Sequence, residues 1–445
     1  MANKILIIAT AFAPENEIGA VRLSKLAKYL IRFGFNVTVL SPKLHEQSKI
    51  DNNMEEVEFA KITRVQISQS TYFNIFFLRR RNSLLEKGSA NSYLKVSSKD
   101  SAVRAVKVHF FKIIHLLYSL LRNYDWSRKV NSYSKINFKQ NDFDIVFSSY
   151  PSLGAHWAAF NIKKRKIASL WIADFRDPIN YSTKSIPLQY YINSQIQKRI
   201  VKRADIVTYI SNDLLIKFPG EFHHKFHLLV NGFDEDDRKF LVQKDNNLDD
   251  KKIRLCYVGS LYGGQRKLDV VFRALRELMD ENFIEAQSIE FVYAGKEYQV
   301  LYQQALKHGL SSCLLNKGSV SRKESLSIQL ASDLIVVATW NTEQDQGIIT
   351  GKLFEGFLTK RNLLGVVNGT VPNSEFKRII EEVEGGFVIE EASSTFDNDF
   401  QNLKKHLAGL YKIKVDKGFV ESTYNDKIVH YSYRSITDRL VKLFN

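Results

Sequence analysis

Short, uninterrupted apolar runs recur along this chain, and helical periodicity fills the spaces between them. The first series is KILIIAT at the start of the chain, NVTVLS (36–41), DIVFSS (144–149), ASLWIADF (168–175), IVTYIS (206–211) and FHLLVNGF (226–233). A second series follows: IRLCYVGS (253–260), SIEFVYAG (288–295), LLNKGS (314–319), LIVVATW (334–340), LLGVV (363–367) and GFVIE (386–390). Strands apolar on both faces must be covered by helices on both sides, and alternation of strand with helix makes the sheet parallel. Between the first two runs, AVRLSKLAKYLIRFG places Leu23, Leu26, Ala27, Leu30 and Ile31 on one helical face, with Gly34 as its C-terminal cap.

At 445 residues the chain exceeds one ordinary core, and such a length suggests about two to three domains. The polar stretch DEDDRKFLVQKDNNLDDKK (234–252) reads as a linker. The expected fold class is α/β, with two Rossmann-like doubly wound domains facing across a cleft and a basic helical insertion in the first. The first domain covers 1–233 with the insertion at about 71–135, and the second covers 253–425. A C-terminal helix over 426–445 has the option of packing back on the first domain. Ligands bind at the carboxyl ends of such sheets.

The two cysteines, Cys256 and Cys313, both lie in apolar runs, which speaks against a disulfide and for a reducing, cytoplasmic setting. No apolar run reaches the roughly 18 residues of a membrane span. Lys4 followed by ILIIATAFA resembles a signal peptide, but the helix behind it needs that run as a buried strand. The formal net charge is +16, and residues 71–135 hold 13 Lys/Arg against 3 Asp/Glu, a difference of +10. Aromatic residues are interleaved with this charge (TYFNIFFLRRRN, VHFFKIIHLLY). The combination suits an anionic membrane surface or a lipid-linked substrate; a solvated helical insertion is the plainer alternative, and no nucleic-acid motif accompanies it.

Several residues could carry chemistry. Gly19 precedes a helix in ATAFAPENEIGAVR and is either a ligand approach or an ordinary turn. His156 begins a helix in SSYPSLGAHWAAF and is either packed or catalytic. Asp174, Arg176 and Asp177 follow a strand in WIADFRDPI; they form a charged turn or a pair of metal-binding carboxylates. His223, His224 and His227 invite a zinc reading, but no third ligand type lies nearby. In CYVGSLYGGQRK, Gly259 and the glycines after it precede Arg266 and Lys267, a composition suited to a diphosphate. Gly295 in VYAGKE repeats the idea. In GIITGKLFEGF, Thr350 can cap a helix whose Lys352 and Glu355 share one face. As a bare ion pair on an amphipathic helix that pattern would be unremarkable.

Taken in order, these segments resemble a GT-B fold glycosyltransferase and are similar to glycosyltransferase family 4 of the bacterial surface-polysaccharide type. The resemblance spans nearly the whole chain and rests on the loop around Gly19, SSYPSLGAHWAAF, WIADFRDPI, RADIVTYIS, NGFD, CYVGSLYGG, VYAG and GKLFEGFLTKRNLLGVV. It implies a retaining, metal-independent enzyme that needs no cofactor beyond its nucleotide-diphosphate sugar donor. The acceptor would be a glycan or lipid-linked hydroxyl met at the inner face of the plasma membrane. By this resemblance Glu355 binds the nucleotide ribose, Gly19 approaches the donor phosphates and His156 faces the donor sugar. Asp174, Arg176 and Asp177 lie on the acceptor side, and Arg266 with Lys267 neutralises the diphosphate.

Two positions depart from the family pattern. Gly347 stands where a glutamate is usual, eight residues before Glu355, leaving Glu343, Asp345 or backbone amides to substitute. Ser260 stands where an arginine is usual. A non-hydrolysing nucleotide-sugar epimerase of the same fold and a catalytically silent subunit are the competing expectations.

Overall fold

The computed structural model describes residues 4–15, 18–44, 50, 54, 56–67, 98–180, 187–241, 252–418, 420–422 and 424–444, with backbone alone for 98–111 and Ile18. Residues 71–97 of the basic insertion and 242–251 of the polar stretch lie outside the described residues. The chain divides into two units, Met1–Ile210 with Leu214–Leu229 and Thr437–Asn445, and Ser211–Asp213 with Val230–Ile436.

The first unit holds a seven-stranded sheet in the order β3-β2-β1-β4-β5-β6-β7. Its strands are β1 (Lys4–Ile8), β2 (Asn36–Pro42), β3 (Thr63–Ile67), β4 (Phe143–Tyr150), β5 (Ala168–Phe175), β6 (Ile206–Tyr209) and β7 (Phe226–Leu228). All pairings are parallel. The run KILIIAT becomes an interior strand of this sheet, where Ile5 to Ile8 are fully buried between β2 and β4. Helices Ile18–Arg32, Ser98–Asn137, Leu153–Lys164 and Pro187–Arg203 accompany it. The edge strand β3 escapes sequence reading because TRVQI is only partly buried and carries Arg64 and Gln66; edges need no continuous apolar run.

The second unit holds a six-stranded parallel sheet, β10-β9-β8-β11-β12-β13. Its strands are β8 (Ile253–Val258), β9 (Ile289–Ala294), β10 (Leu314–Gly318), β11 (Leu334–Asn341), β12 (Asn362–Gly369) and β13 (Gly386–Glu390). Both sheets therefore reverse their winding once, between β1 and β4 and between β8 and β11. Such reversals open a crevice at the carboxyl ends of the two strands.

The polar stretch departs from the linker expectation where it is described. Glu235–Phe240 is a 3-10 helix, and its Asp237 is buried in an ion pair with Arg322 at 2.9 Å. FHLLVNGF is a strand only over its first three residues. Phe233 then bonds to the C-terminal segment, its amide donating to Tyr431 and its carbonyl accepting from Tyr433. The C-terminal stretch comprises a 3-10 turn Asp426–Tyr431, a helix Tyr433–Val441 and a last turn Lys442–Phe444. Within the first unit the Phe444 ring stands edge-on to Phe35 at 5.5 Å. Among the described residues, no helix is long and apolar enough to cross a membrane.

Candidate active site

The segment GIITGKLFEGF folds as its residue types dictate. The Thr350 hydroxyl accepts from the Lys352 amide at 3.3 Å and caps the helix Gly351–Thr359. Leu353, Phe354, Phe357 and Leu358 are buried, which turns Lys352 and Glu355 together onto the opposite side. Lys352 Nζ lies 2.6 Å from Glu355 Oε2, and Gln329 Nε2 donates to the same oxygen at 2.8 Å. Burial opposes the Glu355 charge, but Lys352 and Arg322 outweigh it and hold the carboxyl below the usual glutamate range. Glu355 is thus an ionised carboxylate on a capped helix immediately after the β11 loop.

The Gly347 departure has a backbone cause. Its φ is +71°, a left-handed conformation that strains any side chain bearing Cβ. The Ile348 carbonyl next to it accepts from Thr339 Oγ1 at 2.9 Å. Glu343 is exposed, and Asp345 closes a tight turn on Thr342, its amide donating to the Thr342 carbonyl and hydroxyl at 3.1 Å each.

The loop after β8 corrects the sequence reading. Gly259 and its neighbours suggest a flexible diphosphate cradle, but a carboxylate of the protein already occupies the loop's amides. Glu297 accepts from the amides of Leu261 at 2.7 Å, Tyr262 at 3.2 Å and Gly263 at 2.7 Å, and from the Ser260 hydroxyl. Burial raises its pKa, but Ser260 and these amides pull it further down, so the carboxyl lies below its ordinary range. The Gly259 amide is bonded to the Ala294 carbonyl. Gly295 is a glycine because a Cβ there would lie 2.4 Å from both the Gly259 carbonyl and the Tyr293 hydroxyl; the neighbouring loop fills its space.

The braced loop aims Arg266. Its guanidinium stacks over Tyr262 at 4.5 Å and Trp340 at 5.5 Å, one ring from the β8 loop and the other from β11. It therefore stands over the reversal point of the second sheet. Nη1 donates to the Ser260 carbonyl, whereas the buried Nε has no hydrogen-bond partner among the described residues. Lys267 is exposed, with its amide anchored on Asn368. Sequence reading overlooked Glu297, Gln329 and Trp340. The glutamate two residues past the β9 glycine is the only local hint of the first, and the others act through tertiary contact.

In the first unit, Gly19 lies in the first turn of its helix, where a Cβ would meet Arg176 Nη1 at 2.8 Å. Here glycine makes room for a guanidinium at the helix start, rather than merely turning the chain. Asp174 is not an open carboxylate. It is fully buried, paired with Arg22 at 2.9 Å, and accepts from Ser149 and Thr208 at 2.7 Å each. Burial raises its pKa, but Arg22 and the two hydroxyls more than compensate. Its place is that of a strut across β4, β5 and β6, not a metal or proton-transfer site. The half-buried Asp177 is pushed upward by burial against the pull of Arg176.

His156 is wholly buried among Tyr150, Trp171 and Phe175, the last with its centroid at 4.8 Å. Burial pushes its pKa down to about 3, despite Asp174. Trp171 Nε1 donates to Ser148 Oγ at 2.9 Å, and Ser148 Oγ lies 2.8 Å from His156 Nδ1. The tautomer of the neutral ring decides which partner donates in that bond, and Nε2 is the ring's other nitrogen. That nitrogen is buried without a partner among the described residues.

The fold matches solved structures over nearly the whole chain. A trehalose-6-phosphate protein from E. coli bound with UDP-2-fluoro glucose aligns at TM-score 0.58 and 12% identity, covering 99% of each chain. WaaG, a glycosyltransferase involved in lipopolysaccharide biosynthesis, aligns at TM-score 0.52 and 14% identity, again over 99% of each. A putative UDP-N-acetylglucosamine 2-epimerase from Listeria monocytogenes gives TM-score 0.52 and 12% identity over 99% of this chain and 95% of its own. The likeness shows the GT-B fold, two Rossmann-like units in one chain. No protein-family model and no curated protein matches the sequence.

Proposed function

We propose that this chain is a retaining glycosyltransferase of family 4 type. It moves a sugar from a nucleotide-diphosphate sugar to a hydroxyl of a glycan or lipid-linked acceptor in surface-polysaccharide assembly, without a metal. The observation that carries this reading is the set of groups at the carboxyl end of the second sheet. An ionised Glu355 follows β11, and Arg266, with an unpartnered buried Nε, stands where the winding reverses.

In this reading Glu355 accepts hydrogen bonds from the ribose hydroxyls, and Lys352 exchanges its contact with Glu355 for one with the diphosphate. The bond from the anomeric carbon to the phosphate oxygen breaks, and its electron pair stays on the diphosphate. The acceptor oxygen bonds the same carbon from the same face and gives its proton to the departing phosphate oxygen. Arg266 and Lys352 stabilise the charge that develops, which is the stronger lever in a water-poor site. The buried Nε2 of His156, without a partner among the described residues, supports a contact with a donor-sugar hydroxyl, which can donate or accept. The exposed Leu117 and Leu121 on the basic helix support peripheral contact with an anionic membrane, at the inner face of the plasma membrane.

Incubation with nucleotide sugars, with and without a lipid-linked acceptor, tests the reading. Acceptor-dependent release of nucleoside diphosphate is expected. Interconversion of the free nucleotide sugar would point to the epimerase, and binding without turnover to a silent subunit.

A further inference from the structure

Helices Ser98–Asn137 and Leu153–Lys164 pack side by side on the first sheet and leave a groove of about 530 Å³ between their outward faces, within the range of small-molecule sites. One wall carries Tyr124, Arg128, Asn131 and Lys135, which recur at the three- and four-residue steps of one helix face. The other carries Trp157, Phe160 and Arg165. Three aromatic rings and three cations thus face one space, and none of the ten lining residues is acidic.

Among the described residues, Asp125 is the one carboxylate in ion-pair range of these cations. Asp125 pairs with Lys129 at 3.1 Å and reaches Arg128 only at 3.9 Å. Arg165 donates to the Asn131 carbonyl at 3.1 Å, and burial lowers its pKa with no opposing acid. The Asn131 Oδ1 atom is buried without a donor among the described residues. Three cations gathered on one groove, with Arg165 partly desolvated, favour an anionic ligand. Flat rings beside amides and hydroxyls suit the carbon faces and hydroxyls of sugar rings.

The groove is separate from the carboxyl-end crevice. The Leu153 helix starts just past β4 and runs back over 12 residues, about 18 Å at the helical rise. Its end reaches the start of β4, where the Asn141 amide donates to the Lys166 carbonyl. We propose that this groove is a second, non-catalytic binding site for an anionic saccharide, whose acid groups meet Arg128, Lys135 and Arg165 while a sugar ring stacks on Trp157. The site does not depend on the transfer reaction proposed above.

Titration calorimetry on the full chain tests it, with an oligogalacturonate, a maltooligosaccharide of equal length and inorganic phosphate as probes. The uronate should bind about tenfold or more tightly than the neutral oligomer, and the affinity should fall with added salt. Trp157→Ala should lose about tenfold in uronate affinity, as should the double change Arg128→Ser with Lys135→Ser. The double change alters exposed side chains, so it stays informative if Trp157→Ala unfolds the protein. Absence of uronate binding, or binding that survives the double change, overturns the proposal. So does phosphate binding as tightly as the uronate, or anionic vesicles engaging Trp157 while the saccharide does not.

Discussion

His156 shows how far a residue's surroundings can take it from its solution chemistry. Its pKa falls from the free value of 6.5 to about 3, so the unfolded chain takes up a proton that the native protein refuses. Stability is therefore complete above pH 6.5 and falls as pH drops toward 3. Between pH 7 and pH 5 this group alone removes about 2 kcal/mol. The Asp174 carboxylate, held low by Arg22, acts in the same sense but only below about pH 4. Chemical denaturation of wild type and His156→Gln at pH 5 and pH 7 should show the variant losing this part of the slope; an equal slope contradicts it. Glu355→Gln should weaken donor binding about tenfold or more, measured by titration with the productive nucleotide sugar. Thr350, Lys352 and Glu355 could be placed from sequence because capping and i,i+3 spacing are local. The burial of His156 and Asp174 could not, because it depends on Trp171, Ser148 and Arg22, which are distant in sequence.

At the scale of elements, the β8 loop is held from outside. Glu297 gathers three amides and a hydroxyl, and the Tyr293 hydroxyl accepts from the Glu297 amide at 2.9 Å. The loop then positions Arg266 between two rings. Glu297→Ala should destabilise the protein by about 0.5–1.5 kcal/mol by removing these partly exposed hydrogen bonds, read by denaturant melts. It should also lower kcat with the Arg266 side chain intact. An unchanged kcat would separate the loop from the chemistry. Glu297→Gln, which keeps an acceptor, should recover part of both effects. The twelve apolar runs all contain strands, ten of them largely buried, as parallel strands covered on both faces must be continuously apolar. The edge strands β7 and β10, by contrast, are only partly buried. The edge strand β3 and the 3-10 helix at 235–240 were hidden by polar residues whose partners, such as Arg322 for Asp237, come from elsewhere in the chain.

At the scale of the whole molecule, the same winding appears twice, and each reversal gathers different chemistry. The first sheet places Gly19 and Arg176 at a helix start and sequesters Asp174. The second places Arg266 between Tyr262 and Trp340 and follows β11 with Glu355. A two-domain fold was legible from the two series of apolar runs, whereas the loop thought to cradle a phosphate proved to hold a carboxylate of the protein itself. A saturating donor should stabilise the second unit by mass action, about 2.7 kcal/mol at a hundredfold excess over Kd. The most direct test of the central claim is calorimetric titration of a nucleotide-sugar panel into wild type, Glu355→Gln and Arg266→Ala, paired with acceptor-dependent turnover. The account predicts that one nucleotide class binds wild type, that Glu355→Gln loses about tenfold or more in affinity, and that Arg266→Ala loses about a hundredfold in kcat. Wild-type affinity and turnover in both variants would contradict it.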